Sequence, residues 1–535
     1  MNYELNKISI KDAAKQLNVS VVSIHNWIKE GSLKTFNNSL TQESLDDFKR
    51  NYLNNNKLSS RANKQYKDLH DHKSLTNNII TKIKSLMTAE SLSDEYESSL
   101  SESHRNKEGI YYTPHYIVED MMQDIENVEG KTFLDPCCGS GNFIIEAIKR
   151  GFSPENVYGF DVDKNAVLIT KKRIKELCGY DSENIICADF LRQKPKARNQ
   201  KFDYIFTNPP WGKKINKIDK DKYSVLYQSG SSTDTSSLFY FASLKMLKEN
   251  GKIGFLLPDS FFNITTFEDA RKSLLTLKIN RLVDYGKAFK GLLTKAVAFV
   301  ATNGEWQKTK DESMIECEFY NVKKHLRSQE GFLDVPKHIL NFHIEESDND
   351  IIRRVFSLPH ITLKDNADWA LGIITGNNEK VCRKERGEGL VPIYRGKDIF
   401  KDKMAEPSLF VNENLEGCRQ VADLKYYQSE KIIYRFISSK IVCYHDTEQR
   451  YILNSANLFI LKDDFPITYS QLCCLLNSDF MNWLFASIFN THKVLRSDLE
   501  ILPIFHEYFK EYEEFSEETL RKYLQCNAQF IIHNA

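Results

Sequence analysis

The stretch FTNPPWG sets two consecutive prolines between an amide, Asn208, and an indole, Trp211. Pro209 and Pro210 fix the backbone there far more tightly than a connection requires. A surface turn is the plain alternative, since Asn and Pro both favour turns. The preceding KFDYIFT alternates and then runs apolar, as a buried strand does. The tetrapeptide therefore stands just past a strand's carboxyl end, the edge at which open α/β sheets bind ligands. Three further strand ends carry groups of matching use. DPCCGSGNF, running from Asp135 and Pro136 through Gly139 and Gly141 to Asn142, leads straight into the helical IIEAIKR. Its glycines admit a ligand to the backbone, and the helix start offers free amides. No third glycine follows, which disfavours a pyrophosphate. Twenty residues beyond Gly141, GFDVD places Asp161 to accept from a ribose diol. CADF supplies Asp189, able to accept from an adenine amino group, and Phe190, able to cover its face. A glycine turn with acids at two successive strand ends fits an adenosine that carries no phosphates.

These residues need a sheet to hold them. From Lys107 to about Gly304 the chain alternates apolar strands and helices: TFLDPC, NVYGFDVD, NIICADF, FDYIFTN, GKIGFLLP, INRLVDYG and AVAFVATN are seven strands of a doubly wound α/β sheet. The chain has 535 residues, 41% hydrophobic and 27% charged, and its 73 Lys and Arg balance 73 Asp and Glu. That length exceeds one core and suits two to four domains. No run approaches a membrane span, and the first residues lack a signal peptide's apolar core, so a cytoplasmic protein is expected. The 11 cysteines form no pair of CxxC motifs, which speaks for reduced thiols and against a metal site. With zero net charge, contact with a polyanion needs local patches. Between Arg192 and Lys222, ten Lys or Arg face three Asp on both sides of NPPW. A solvated loop explains such a run equally well; beside a site it would attract phosphates.

Together these motifs resemble the S-adenosylmethionine-dependent, amino-group DNA methyltransferases. DPCCGSG is similar to their cofactor turn and NPPW to their catalytic tetrapeptide. GIYYTP, containing Tyr111, Tyr112, Thr113 and Pro114, resembles the motif that folds over the cofactor's methionine end. The order GIYYTP, glycine turn, NPPW, large C-terminal region looks like the gamma class of adenine methyltransferases, with TaqI methyltransferase its familiar member. The resemblance covers Glu108 to about Gly304, and continues more weakly beyond. It implies S-adenosylmethionine as cofactor, double-stranded DNA as substrate and a Rossmann-like methyltransferase fold. It also implies a monomer with, in some systems, a separately encoded restriction endonuclease as counterpart.

The resemblance gives the rigid tetrapeptide a chemical meaning. An adenine amino nitrogen is a poor nucleophile because its lone pair is delocalised into the ring. The Asn208 side-chain oxygen and the Pro209 carbonyl accepting its hydrogens would free that pair, with no reorganisation of a backbone already fixed. Trp211, where Tyr or Phe is commoner, would stack on a base flipped out of the duplex. Phe289, in DYGKAFKGLLTKAVAFV, stands where the family places a second aromatic; Phe261 and Phe262 compete for that role.

The remaining chain divides around this core. Residues 1 to 55 suggest an excisionase or MerR-like winged helix-turn-helix, with helices over Asp12–Leu17 and from Ser20 to near Gly31, then a wing in SLKTFNNSLT. Its small core would use Ala13, Ala14, Leu17, Val22, Ile24 and Trp27. Residues 56 to 106 read as a helical connector through Leu75, Ile79, Ile80, Ile83 and Leu86-Met87, with SLSDEYESSLSES as a flexible marker. A catalytic domain over 107 to 335 and a mixed α+β target-recognition domain over 336 to 535 complete the division. In the last, Arg395, Lys397, Arg435 and Lys440 are candidates for phosphate or groove contact, with a solvated face an equal alternative for any one of them. Competing functions are a fused restriction-methylation enzyme, for which residues 1 to 106 show no nuclease pattern, and methylation of cytosine N-4.

Overall fold

The computed structural model describes residues 7–17, 19, 21–29, 33–35, 40–50, 88–99, 109, 111–192, 200–289, 292–304, 306 and 314–528. The chain forms two compact units, one from 1–258 with 284–304 and one from 259–283 with 305–535.

In the first unit, helices α1 (Ile10–Leu17), α2 (Val21–Lys29) and α3 (Gln42–Phe48) surround a small core of Ala13, Ala14, Leu17, Ile24, Trp27, Leu45 and Phe48. Trp27 and Phe48 meet at 4.9 Å, and Thr41 caps α3 in a reciprocal capping box. The expected cap at Ser20, the end near Gly31 and the Asn37-Asn38 tip of the wing lie outside the described residues, as does the helical spacing from Leu75 to Met87.

SLSDEYESSLSES was expected to be flexible, and its first part is instead helix α4 (Ala89–Ser99). Leu92 and Tyr96 bury against Ala166 and Ile169. The segment is polar on every face but one, and a single i,i+4 apolar pair is too narrow a stripe to register as amphipathic.

All seven expected strands form, six of them in this unit and INRLVDYG in the other. In this unit β1 (Phe133–Asp135), β2 (Val157–Asp161), β3 (Ile185–Cys187), β4 (Phe202–Thr207), β5 (Leu247–Pro258) and β7 (Ala296–Thr302) run in the order β3-β2-β1-β4-β5-β7. The first five are mutually parallel, and β7 lies antiparallel to β5. Helix α5 (His115–Met121) precedes β1, and α6 (Asn142–Lys149), α7 (Lys164–Cys178), α8 (Lys217–Tyr227) and α9 (Thr235–Leu244) fill the connections. The order reverses between β1 and β4. That switch point, beyond the carboxyl ends of the strands, is where such sheets open a crevice.

The second unit is mixed α+β, as expected of the C-terminal region. It contains β6 (Lys278–Asp284), β8 (Met314–Phe319) and β9 (Lys323–Ser328), hydrogen-bonded in that order. β10 (Ala367–Leu371), β16 (Ala456–Leu461), β13 (Lys431–Arg435) and β14 (Cys443–Asp446) form an antiparallel sheet in the order given. β11 (Leu390–Tyr394) joins β12 (Phe410–Asn412) and β15 (Tyr451–Ile452) in a second, three-stranded sheet. Helices Glu346–Ser357, Tyr469–Asn477, Asp479–Phe489 and Glu517–Ala528 pack around one apolar core with the larger sheet. Among the described residues no single helix is long and apolar enough to cross a membrane.

Candidate active site

A cavity of about 580 Å³ opens at the switch point. Of the residues singled out in the sequence, Tyr111, Tyr112, Thr113, Asp135, Pro136, Gly139, Asn142, Asp161, Asp189, Phe190, Asn208 and Pro210 line it. Gly141, Pro114, Pro209, Trp211 and Phe289 do not. Pro114 starts α5 at its N-cap, and Gly141 does the same for α6.

The turn after β1 depends on both glycines. Gly139 (φ +50°) and Gly141 (φ +95°) are left-handed, a region L side chains rarely adopt. A Cβ on Gly141 would lie 2.7 Å from the Thr170 side chain, and one on Gly139 would lie 3.0 Å from the Tyr112 ring. The close third glycine of a dinucleotide turn is absent, as the sequence implied.

The acids at the strand ends are already engaged. Asp135 Oδ1 accepts from the Thr207 hydroxyl at 2.6 Å and the Cys137 amide at 3.1 Å. Burial pushes its carboxyl up to about 7, against the pull of those two donors. Asp161 accepts the Gly139 amide at 2.8 Å on one oxygen and the Asp163 amide at 2.8 Å on the other. It thus ties the end of β2 to the glycine turn, and burial pushes it up to about 6. Asp189 is partly exposed, accepts from the Leu191 amide, and pairs with Arg192 at 3.2 Å. Arg192 also reaches Asp219 and the Tyr223 hydroxyl, both at 3.2 Å. Phe190 is buried between Phe160 and Phe239, with centroids at 5.6 and 5.7 Å, and turns part of its ring to the cavity. Asn142 donates to the Thr113 carbonyl at 2.9 Å and accepts from Arg173 at 2.7 Å, so its amide holds GIYYTP against the turn.

Asn208 differs from all of these. Its Nδ2 donates to the Tyr111 carbonyl at 2.7 Å, which fixes which end of the amide is which. Its Oδ1 is buried and has no hydrogen-bond partner among the described residues. The Cys137 thiol reaches the Asn208 carbonyl at 3.3 Å and the Thr207 hydroxyl at 2.9 Å, linking the NPPW loop to Asp135. Sequence spacing gave no sign of this bridge, since Cys137 and Thr207 are 70 residues apart.

The structure brings Trp211 and Phe289 together. Their rings meet edge to face at 5.3 Å, and Tyr111 lies 5.9 Å from Trp211 and 5.5 Å from Phe289. Trp211 keeps only 8% exposure, and its indole N–H donates to the Leu256 carbonyl at 3.3 Å. Its open stacking face was an expectation; the ring is instead covered by its aromatic neighbours. The loop bearing Phe289 is fixed at its stem, where the Tyr285 hydroxyl donates to Asp120 at 2.5 Å and Lys295 pairs with Asp284 at 3.2 Å. The competing Phe261 and Phe262 belong to the second unit, buried against Phe267 and Phe342.

The basic candidates separate into two kinds. Arg395 forks onto Asp398 at 2.9 and 3.0 Å, and Arg435 donates to the Ile399 carbonyl while its guanidinium lies over Phe400. Both serve the fold of the second unit. Lys397 and Lys440 are exposed, as are Lys214, Lys217 and Lys222 on and before α8. Lys194, Lys196 and Arg198 lie outside the described residues. No group of three metal-ligating side chains occurs among the described residues.

A family model described as N-6 DNA Methylase matches residues 87–328, and one described as TaqI-like C-terminal specificity domain matches residues 391–504. The type II methyltransferase M.VspI of Vibrio sp. (strain 343) is 47% identical over 401 residues, covering 74% of this chain and 97% of that protein. Modification methylase CviBIII of Paramecium bursaria Chlorella virus NC1A is 28% identical over 188 residues, 35% of this chain and 47% of that protein. Among solved structures, the type IIL restriction-modification enzyme MmeI in complex with DNA matches at a TM-score of 0.53 and 11% identity, over 84% of this chain and 80% of that one, a likeness of fold.

Proposed function

The chain belongs to the N-6 DNA methylase family and is a DNA methyltransferase of the restriction-modification kind; we propose that it transfers a methyl group from S-adenosylmethionine to the N-6 amino group of an adenine flipped out of duplex DNA. The observation that carries this reading is the Asn208 amide: one end is committed to Tyr111 and the other is a buried acceptor without a partner among the described residues. A buried acceptor left unpaired costs about 1–3 kcal/mol. The two prolines that follow keep it in place, and an incoming amino group would satisfy it.

The cavity suits the cofactor. Asp135 would accept from the methionyl ammonium, Asp161 from the ribose hydroxyls and Asp189 from the adenine amino group, with Phe190 against the ring. Gly139 and Tyr112 hold the backbone close on the methionine side. When bound, S-adenosylmethionine supplies an electrophilic methyl group on a sulfonium. Asn208 Oδ1 and the Pro209 carbonyl would accept the amino hydrogens and release the nitrogen lone pair. Asn208 acts as an orienter, since an amide is no base at neutral pH. The target base would part the Trp211–Phe289 contact and exchange it for stacking, worth about 1–3 kcal/mol per base, against an unstacking cost of a few kcal/mol. We further propose that methylation protects host DNA from a separately encoded endonuclease. The match along 97% of a protein named as a methyltransferase favours this over a fused restriction-methylation enzyme.

The test is direct. Duplex DNA incubated with the protein and labelled S-adenosylmethionine should yield N6-methyladenine by mass spectrometry of its nucleosides. Methylcytosine as the sole product would overturn the proposal.

A further inference from the structure

Helix α4 precedes every motif described above, and its polar face points into the glycine turn. Ser140 sits between the two left-handed glycines and is held from both sides. Its hydroxyl donates to Glu97 at 2.5 Å, and its carbonyl accepts from Arg173 at 2.8 Å. The other arm of Arg173 pairs with Glu90 at 2.9 Å. Glu90 and Glu97 are seven residues apart, two turns along one face of α4. The apolar stripe beside them reaches the same turn by another route. Tyr96 packs against Tyr112 with centroids at 6.5 Å, and Tyr112 is the ring that bears on Gly139. The Tyr96 hydroxyl donates to Asp163, next to the ribose acid. The helix itself is anchored to α7 where the Ala89 amide donates to Glu176 at 2.7 Å. Burial pushes the Glu97 carboxyl above its ordinary range, while the hydroxyls of Ser140 and Ser93 pull it back.

We propose that α4 is a positioning clamp for the cofactor turn, acting chiefly through Glu97, whose bond to Ser140 holds the loop in its binding conformation. Glycines lose more conformational freedom on ordering than other residues, and Gly139 and Gly141 bracket a single side chain. A loop already ordered by that side chain binds its ligand without the ordering cost. The inference rests on the proposed reading in taking the cavity's ligand to be S-adenosylmethionine. Glu97 touches no substrate; it acts through Ser140.

Calorimetry on the full chain, with S-adenosylmethionine and separately with S-adenosylhomocysteine, tests it. Glu97→Ala should weaken both ligands about tenfold, or about 1.4 kcal/mol, with kcat at saturating cofactor within roughly twofold of wild type, the split expected when uniform binding alone is lost. Glu97→Gln should restore affinity, because its amide oxygen still accepts from Ser140. Ser140→Ala should reproduce the loss, and the double variant should add nothing further, as for two residues sharing one contact. If Glu97→Ala fails to fold, Ser140→Ala against wild type reads the same bond. Undiminished affinity in Glu97→Ala, no rescue by Gln, or additive losses would each overturn the clamp. A wild-type chain that binds neither ligand would instead overturn the cofactor assignment.

Discussion

At the glycine-turn end of the cavity, Asp135 and Asp161 already accept bonds from Thr207, Cys137, Gly139 and Asp163, while at the NPPW end Asn208 keeps a buried oxygen that accepts none from the described residues. The aromatic groups divide the same way. Phe190 is wedged in the core of its own sheet edge, whereas Trp211 and Phe289 pack mainly on each other and on Tyr111. Buried polar groups are nearly always paired, so an unpaired acceptor on a loop that lines a cavity is a place where a group from outside the chain can be received. The difference teaches a division of labour. We propose that the fold orders the cofactor end largely through its own hydrogen bonds, and that the substrate completes the target end.

The sharpest way to break this comparison is to remove the orphan. Asn208→Ala should lower kcat by at least roughly 10²–10³-fold, the range for deleting one preorganised hydrogen-bonding group, while cofactor affinity stays within about twofold. A variant keeping half the wild-type turnover would deny Asn208 its role. The converse substitution, Asp161→Ala, removes the ribose acceptor and also frees two amides that shape the turn. Hydrogen bonds to a charged group are worth about 1.5–3 kcal/mol, so the cofactor Kd should rise about ten- to a hundredfold. Calorimetry decides this, and unchanged affinity would count against placing the ribose there.

Trp211→Ala should raise the Kd for duplex DNA about five- to 150-fold, from a stacking loss of about 1–3 kcal/mol, and leave cofactor binding alone. Trp211→Phe should keep most of the stack. Fluorescence anisotropy with labelled DNA separates the two, and equal binding by all three proteins would remove Trp211 from base recognition.

A smaller effect follows from the buried acids. An unfolded aspartate titrates near about 3.9, whereas Asp135 in the fold is pushed up to about 7 and Asp161 to about 6. Between those values the folded state holds more protons than the unfolded one, so stability of the ligand-free protein falls as pH rises through that window. A bound ammonium and sulfonium favour the ionised acids. The rise in Tm produced by S-adenosylmethionine should therefore be larger at pH 8 than at pH 5.5, with affinity several-fold tighter. A pH-independent rise would mean that neither acid meets the cofactor's cationic end.

What was legible in the sequence was whatever the sheet repeats. Asp135 and Asp161 end their strands and Asp189 and Asn208 follow theirs, at the spacing of a doubly wound fold, so their convergence at one edge could be read from the strand pattern. The contacts that set the site's detail cross large gaps in sequence. Glu97 and Ser140 are 43 residues apart, and Thr207 and Asp135 are 72 apart. α4 escaped notice because its face toward the turn is glutamate and serine, which read as solvated. For Arg395 and Arg435 the sequence leaves phosphate contact and a solvated face equally open, because a basic residue looks the same whether free or paired. Asp398, three residues after Arg395, was the one local signal that could have shown it was taken.

The smallest effect expected on either end of the cavity concerns the N-terminal module. Helices α1 to α3 have a core of their own around Trp27 and Phe48, and nothing in the cavity is drawn from them. We propose that they form a helix-turn-helix that adds DNA affinity or regulates the enzyme's own promoter. Lys29 and Lys34 are basic, but Glu30, Glu43, Asp46 and Asp47 bring the module to near neutrality, and Lys49 is paired with Asp46 at 3.3 Å. An independent strong DNA binder carries a more basic face than this. Deleting residues 1 to 55 should therefore leave cofactor affinity and the methylated sequence as they are, while weakening DNA binding or autoregulation. Methylation-sensitive sequencing of DNA from cells expressing the two forms checks this. If the truncated enzyme modified different bases, the module would share in choosing the target.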